Sequence, residues 1–288
     1  MSRLYRIGLV CALLLLGACS STTFVYNRLD FLLPWYLDDY ADLNRAQDQY
    51  LDELLAPFLA WHRAEELPRY IEIIDQIDAS LDQPLTGDEV AQISAELESA
   101  WFRLEGEALD WLLDLGTKLS DEQVEGFMEE LWDQQRKYEE KYLDRSDKEF
   151  HKDSYESFLD SMQDYLGRLD KEQRALLRDA SDGLLRSDRV WLQERAAWLE
   201  KLGILMQREP GWQQRVREAI AARSENTSPE YLRIYTHNLG LIHSTVATLL
   251  NSRSDKQDRR LRKALSDLRE DLETLIAQGK EATSSAAA

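Results

Sequence analysis

Val90-Ala-Gln-Ile-Ser-Ala-Glu-Leu-Glu-Ser-Ala-Trp-Phe-Arg-Leu-Glu-Gly-Glu-Ala-Leu-Asp-Trp-Leu-Leu-Asp-Leu115 decides the fold. Val90, Ile93, Leu97, Trp101, Leu104, Ala108, Trp111 and Leu115 recur there at steps of three and four. That spacing lines one face of an α-helix about 30 residues and roughly 45 Å long. Further stripes follow in Val124, Phe127, Leu131, Tyr138 and Tyr142, in Val190, Leu192, Trp198, Leu202 and Leu205, and in Leu261, Leu265, Leu268, Leu272 and Leu275. Only six prolines interrupt 288 residues, strand-type alternation is missing, and good helix formers dominate. The expected fold is all-α, an elongated multi-helix bundle of long antiparallel helices.

The boundaries repeat one pattern. Leu85-Thr-Gly-Asp-Glu89, Leu119-Ser-Asp-Glu-Gln123 and Leu169-Asp-Lys-Glu-Gln173 each place a capping residue three before Glu or Gln. Leu43-Asn-Arg-Ala-Gln47 and Ser254-Asp-Lys-Gln257 are weaker copies. This is the capping box, and the leucine before the cap is a hydrophobic staple. A bundle needs several helix starts, so the pattern reads as capping rather than as a recognition motif. Glu209-Pro-Gly211 and Ser228-Pro-Glu230 are breaks, with proline opening the next helix. The polar stretch Gln134 to Ser154 is expected to be a solvated helix that projects beyond the bundle or bridges two halves, through i,i+3 and i,i+4 charge pairs. The predicted organisation is a signal peptide over 1–18, a lipidated N-terminus with an aromatic strap over 19–40, a helical domain over 41–278 that divides near 150 if at all, and a disordered tail over 279–288.

The first residues carry a targeting signal. Arg3 and Arg6 precede an apolar stretch from Ile7 to Ala18, too short for a bilayer span of roughly 20 residues but suited to a signal peptide. Leu16-Gly-Ala-Cys19 resembles the lipobox of bacterial lipoproteins. The resemblance implies cleavage before Cys19, lipidation of its thiol (the palmitate class of modification) and, with Ser20 rather than aspartate following, export to the outer membrane. Two or three acyl chains hold far more firmly than one, at ~0.8 kcal/mol per buried methylene. Cys11 would leave with the signal, and Cys19 would carry lipid. The mature chain then has no thiol for a disulfide, a nucleophile or a metal site.

Charge is lopsided. Residues 19–150 hold 32 Asp/Glu against 11 Lys/Arg, while 151–288 hold 22 of each. The formal net charge is −19, and −21 once Arg3 and Arg6 are removed with the signal. Nucleic-acid binding requires a basic footprint, so no nucleic-acid partner is expected. The acidic half reads as a solubilising surface or, more sharply, as a face for a basic partner or divalent cations.

No histidine of His62, His151, His237 and His243 follows a glutamate by three residues, so the ligand pairs of a bundle di-metal site are missing. Neither a phosphate-cradling glycine loop nor a nucleophile elbow occurs. No cofactor, metal ligand or catalytic residue is therefore expected. The densest polar group is Trp61-His-Arg-Ala-Glu-Glu-Leu-Pro-Arg-Tyr70. On an α-helix His62 reaches Glu65 or Glu66, and a carboxylate beside imidazole raises its pKa and orients it as a general base requires. The competing reading is a helix end whose aromatic residues pack while the polar groups pair. Trp35, Trp61, His62, Glu65, Glu66 and Arg69 form the candidate binding patch.

Phe24 to Tyr40 is rich in aromatic and apolar residues and begins five residues after Cys19. Either it rests in a bilayer interface, or it forms an extended strap over the core; Asp30, Asp38 and Asp39 favour the strap. Arg28-Leu-Asp-Phe-Leu-Leu-Pro-Trp-Tyr-Leu-Asp-Asp-Tyr40 and Trp61 to Tyr70, together with the lipobox and the repeated helix starts, resemble proteobacterial lipoproteins of unknown function. That resemblance implies a helical, outer-membrane-anchored protein facing the periplasm of a Gram-negative cell, and brings no established activity. The Leu-x-x-x-Gln starts are more weakly similar to periplasmic helical chaperones with Leu-Thr-x-x-Gln motifs. The expected role is non-catalytic binding or scaffolding with an unknown envelope protein, the membrane being engaged through lipid. The alternatives are a chaperone-like client holder and an enzyme centred on His62 and Glu65.

Overall fold

The computed structural model describes residues 21–286, so the expected signal peptide over 1–18, Cys19 and the last two residues lie outside it. Among the described residues the fold is all-α, with no strand. The helices are α1 (Ser21–Tyr26), α2 (Leu29–Ala41), α3 (Arg45–Trp61), a π-helical turn (His62–Glu66), α4 (Leu67–Ser80), α5 (Gly87–Gly116), α6 (Asp121–Tyr142), α7 (Asp147–Leu166), α8 (Lys171–Gly183), α9 (Asp188–Leu205), α10 (Trp212–Ala221), α11 (Pro229–Asn251) and α12 (Asp255–Ala286). α5 packs on α3, α4 and α11, α6 on α2 and α9, and α7 on α8. α12 runs past α7, α4, the π turn and α1.

All five predicted starts carry reciprocal capping bonds, at Asn44–Gln47, Thr86–Glu89, Ser120–Gln123, Asp170–Gln173 and Ser254–Gln257. The leucines Leu43, Leu85 and Leu169 before the caps are buried, each burial contributing about 2 kcal/mol. The four glutamines do more than cap. The Gln47 amide donates to Gln123 Oε1 (2.8 Å) and Lys118 O (2.7 Å), and Gln123 donates back to Gln47 Oε1 (2.9 Å) and to Ala41 O and Asp42 O (2.9 Å each). Gln173 and Gln257 repeat the exchange at 3.1 and 2.9 Å. Gln257 also reaches Arg168 O, and Gln173 reaches Ser252 O. Each glutamine thus starts its own helix and ties down the chain entering its partner's helix. The first junction adjoins the cluster of Leu43, Leu51, Leu55 and Leu115, and the second that of Leu85, Leu169, Leu177, Leu249 and Leu261.

Four local expectations require correction. Gln134 to Ser154 is two helices rather than one, because Ser146 caps a new start with Glu149. It also holds buried residues: Gln135 is 1% exposed and donates to Leu192 O, and Tyr142 and Phe150 are buried. At the first break, Pro210 does not open α10; Gly211 stands there as N-cap at φ +82 and Trp212 begins the helix. A side chain at Gly116, where α5 ends, would come within 2.9 Å of the Trp212 ring, so the ring seats only over a glycine. Finally, 279–286 is helix rather than a disordered tail. Gly279 lies against Arg63, and the Glu, Lys and Ala that follow are helix formers with no proline to stop them.

Candidate functional site

Pro68 shapes the region around His62. A proline inside an α-helix lacks the N–H that bonds four residues back, and its ring collides with that carbonyl. Here the helix widens for one turn, so that the Leu67 amide bonds to His62 O, five residues back. Such π bulges are single-turn insertions that redirect side chains. Glu66 turns inward and becomes wholly buried, whereas Glu65 stays exposed.

His62 is held between two tyrosines. Tyr26 Oη of α1 lies 2.7 Å from Nδ1, and Tyr70 Oη of α4 lies 3.4 Å from Nε2. A neutral imidazole has one donor and one acceptor nitrogen, so one hydroxyl donates to it and the other accepts. Tyr26 also stacks on the ring at 5.6 Å, and Phe58 and Trp61 lie within 6.4 Å. Burial pushes the imidazole down to about 4, and the neighbouring Glu66 only partly opposes this. Burial likewise pushes the Tyr26 hydroxyl up to about 12 against the pull of Arg63, and raises Tyr70 further. The sequence expectation of a raised His62 beside Glu65 is thus reversed, since desolvation outweighs the nearest carboxylate.

Glu66 is 0% exposed and has both oxygens engaged. Oε1 accepts from Arg69 NH1 (2.7 Å) and Arg103 Nε (2.8 Å), and Oε2 accepts from Arg103 NH2 (3.0 Å). The fork of Arg103 brings α5 to the π turn, and Arg69 anchors the first turn of α4. Leu67, Tyr70, Ile73 and Ile74 complete the joint with Ala100 of α5 and with Leu272 and Leu275 of α12. Chemically this is a sealed packing joint: no lone pair of Glu66 and no nitrogen of His62 is turned toward solvent without a partner.

The candidate patch therefore divides. Trp61, His62, Glu66 and Arg69 meet at the joint. Glu65 lies outside it, and Trp35 sits on the far side of α2, 62% exposed. Sequence reasoning included Tyr70 in the stretch without giving it a role, and missed Tyr26 and Arg103, whose partners are 36 and 37 residues away.

A separate open cleft of about 650 Å³ lies where the C-terminal end of α2 meets α6. Asp38, Asp42, Glu122, Glu129, Glu130 and Asp133 line it, with Arg136 as its one cation. This is where the excess acid of the N-terminal half gathers into a concave surface. Among the described residues no group of three or more His, Cys, Asp or Glu is placed to hold a metal ion, and no helix is long and apolar enough to cross a membrane.

Residues 39–232, more than half of the chain, match the DUF6279 family, described as a family of unknown function. The chain belongs to the DUF6279 family. No curated protein and no solved structure matches it. The DUF6279 match includes the His62–Glu66 turn and the first glutamine junction, but it begins after Phe24, Tyr26, Phe31, Trp35 and Tyr36.

Proposed function

We propose that this DUF6279 chain is a lipoprotein of a Gram-negative envelope, held at the outer membrane by lipid on Cys19 and facing the periplasm, whose helical domain binds or scaffolds another envelope component without catalysis. The sealed state of the His62–Glu66 joint carries the reading: the densest polar cluster is spent on holding α1, α4 and α5 together. Leu16-Gly-Ala-Cys19 supports the anchor, and α1 begins only two residues after that cysteine, so the domain has almost no slack in its tether. The acidic cleft beside α6 offers a basic segment of a partner a complementary surface.

Crosslinking in intact cells followed by mass spectrometry tests this. The full chain is expected to capture a reproducible set of envelope proteins, and Cys19→Ser, which removes the acceptor thiol, to lose them. Repeated recovery of none with the anchored protein present would sink the idea. Client holding is the second reading, favoured by the exposed rings of Phe24, Phe31, Trp35 and Tyr36. It requires the protein to suppress aggregation of an unfolding client at stoichiometric amounts, and absence of suppression removes it.

A further inference from the structure

α2 is apolar on two opposite faces. Leu33, Leu37 and Ala41 pack inward with Leu43, Leu51 and Leu55, and Tyr40 lies against Phe127. At about 100° per residue, Phe31 and Trp35 of α2 fall on one line roughly half a turn away from that inner face, and Phe24 of α1 is exposed just before them. α1 and α2 are separate helices, joined by a tight turn in which Arg28 stands at φ −122 and bonds back to Val25 O (3.0 Å). Phe24, Phe31 and Trp35 are 57, 68 and 62% exposed. All eight tryptophans are described, and Trp35 alone is exposed. Four of the eight exposed large hydrophobic residues among those described lie within 24–36. So concentrated an apolar patch marks a contact surface.

Building on the lipid-anchor reading, we propose that this outward face lies on the phospholipid headgroup layer of the membrane that holds Cys19. The chain outside the structure names the occupant. It ends immediately before α1, and it contains the apolar stretch Ile7 to Ala18 and Cys19. Phe24 follows Cys19 by five residues and Trp35 by sixteen, so even at full extension, about 3.4 Å per residue, Phe24 is within roughly 17 Å of the anchor. On so short a tether the bilayer is the surface met first and most often. The chemistry fits. Trp and Phe are favoured at the membrane–water interface. The Arg28 guanidinium, 3.5 Å above the Phe24 ring, is exposed beside these rings, with its charge available to phosphate. Of the nearby acids, Asp30 accepts the Phe31 amide a third of a turn off the line, and Asp38 accepts the Leu43 amide at the helix end. They hold the helix backbone at the headgroups, while the Phe31 and Trp35 rings reach the headgroup–acyl boundary.

Purified full-length protein reconstituted in phosphatidylethanolamine–phosphatidylglycerol vesicles with brominated acyl chains tests this through tryptophan emission. The same preparation is analysed for the mass of its N-terminal peptide. Bromolipid quenching is expected in the wild type and is expected to be lost in Trp35→Phe, which keeps an aromatic ring and a stable fold. Lipidated Cys19 with equal quenching in both proteins overturns the docking and leaves the anchor standing. Trp35 shielded from aqueous iodide but untouched by bromolipid also overturns it, because a second copy or another protein then covers the face. Unmodified Cys19 with quenching that still depends on Trp35 overturns the anchor and upholds the docking. Unmodified Cys19 without quenching overturns both.

Discussion

Tyr26 and Phe24 are two residues apart on α1 and meet opposite fates. Tyr26 turns inward, stacks on His62 and is hydrogen-bonded to it, while Phe24 turns outward under Arg28. The same division continues along α2, where Leu33 and Leu37 enter the core and Phe31 and Trp35 do not. On the inner side Tyr26, His62, Tyr70, Glu66 and Arg103 all have partners, Arg63 Nε being buried without one; on the outer side aromatic surface is left for something else to cover. Around α1 and α2 the polar cluster marks structure, and the outward aromatic residues mark the surface open to contact.

Replacing Glu66 should separate the two sides most sharply. Removing one partner of a buried ion pair costs about 3–5 kcal/mol. Arg103 and Arg69 are 35 and 47% exposed and can rehydrate, so Glu66→Ala is expected to cost about 3–4 kcal/mol by urea unfolding. A loss near zero would mean that the joint is not structural. Acidification should act on the same side. Above about pH 6.5 neither the folded nor the unfolded imidazole is protonated. Between 6.5 and about 4 the unfolded chain binds a proton that folded His62 does not. Stability therefore falls as pH drops through this window, by about 3 kcal/mol at ~1.4 kcal/mol per unit. His62→Asn should flatten that part of the profile; identical slopes in both proteins would assign the titration to other groups.

The segment expected as an extended strap is helical, and α2 is held by Gln123, whose amide bonds the carbonyls of Ala41 and Asp42 at its end. Gln123→Ala should cost about 2 kcal/mol and raise hydrogen exchange in α2 before the other helices; unchanged exchange there would break the link. Trp35→Ser is expected to change the melting temperature hardly at all, by less than about 0.5 kcal/mol equivalent. A larger loss would place Trp35 on the inner side of the comparison.

What could be read from sequence follows from range. Capping boxes are local, so five starts were legible from residues three apart, and the stripes set the helices between them. The start at Ser146 carried the same Ser-x-x-Glu signal, but it was overlooked because the stretch around it is polar, and hydropathy cannot show that Gln135 is buried against Leu192 O. The composition of the joint was legible as Trp61 to Tyr70. Its chemistry was not, because the π turn changes which side chains face inward and the partners Tyr26 and Arg103 come from other helices. Trp35 was grouped with His62 by residue type, although a helix separates the two faces. The glutamines were readable as caps, but their pairing spans 76 and 84 residues.

The run of α12 past α1 sets an order of events. Thr23 donates to Asp271 Oδ1 and Asn27 to Gln278 Oε1, across 248 and 251 residues. A chain made from its N-terminus must therefore carry α1 and the inner face of α4 through nearly the whole of synthesis before their last neighbour exists. Contacts this distant in sequence slow folding and lengthen the life of the open chain. The surface left uncovered meanwhile includes Tyr26, Tyr70 and Ile73, which makes the unfinished polypeptide, rather than the finished fold, the form most in need of a protective binding factor.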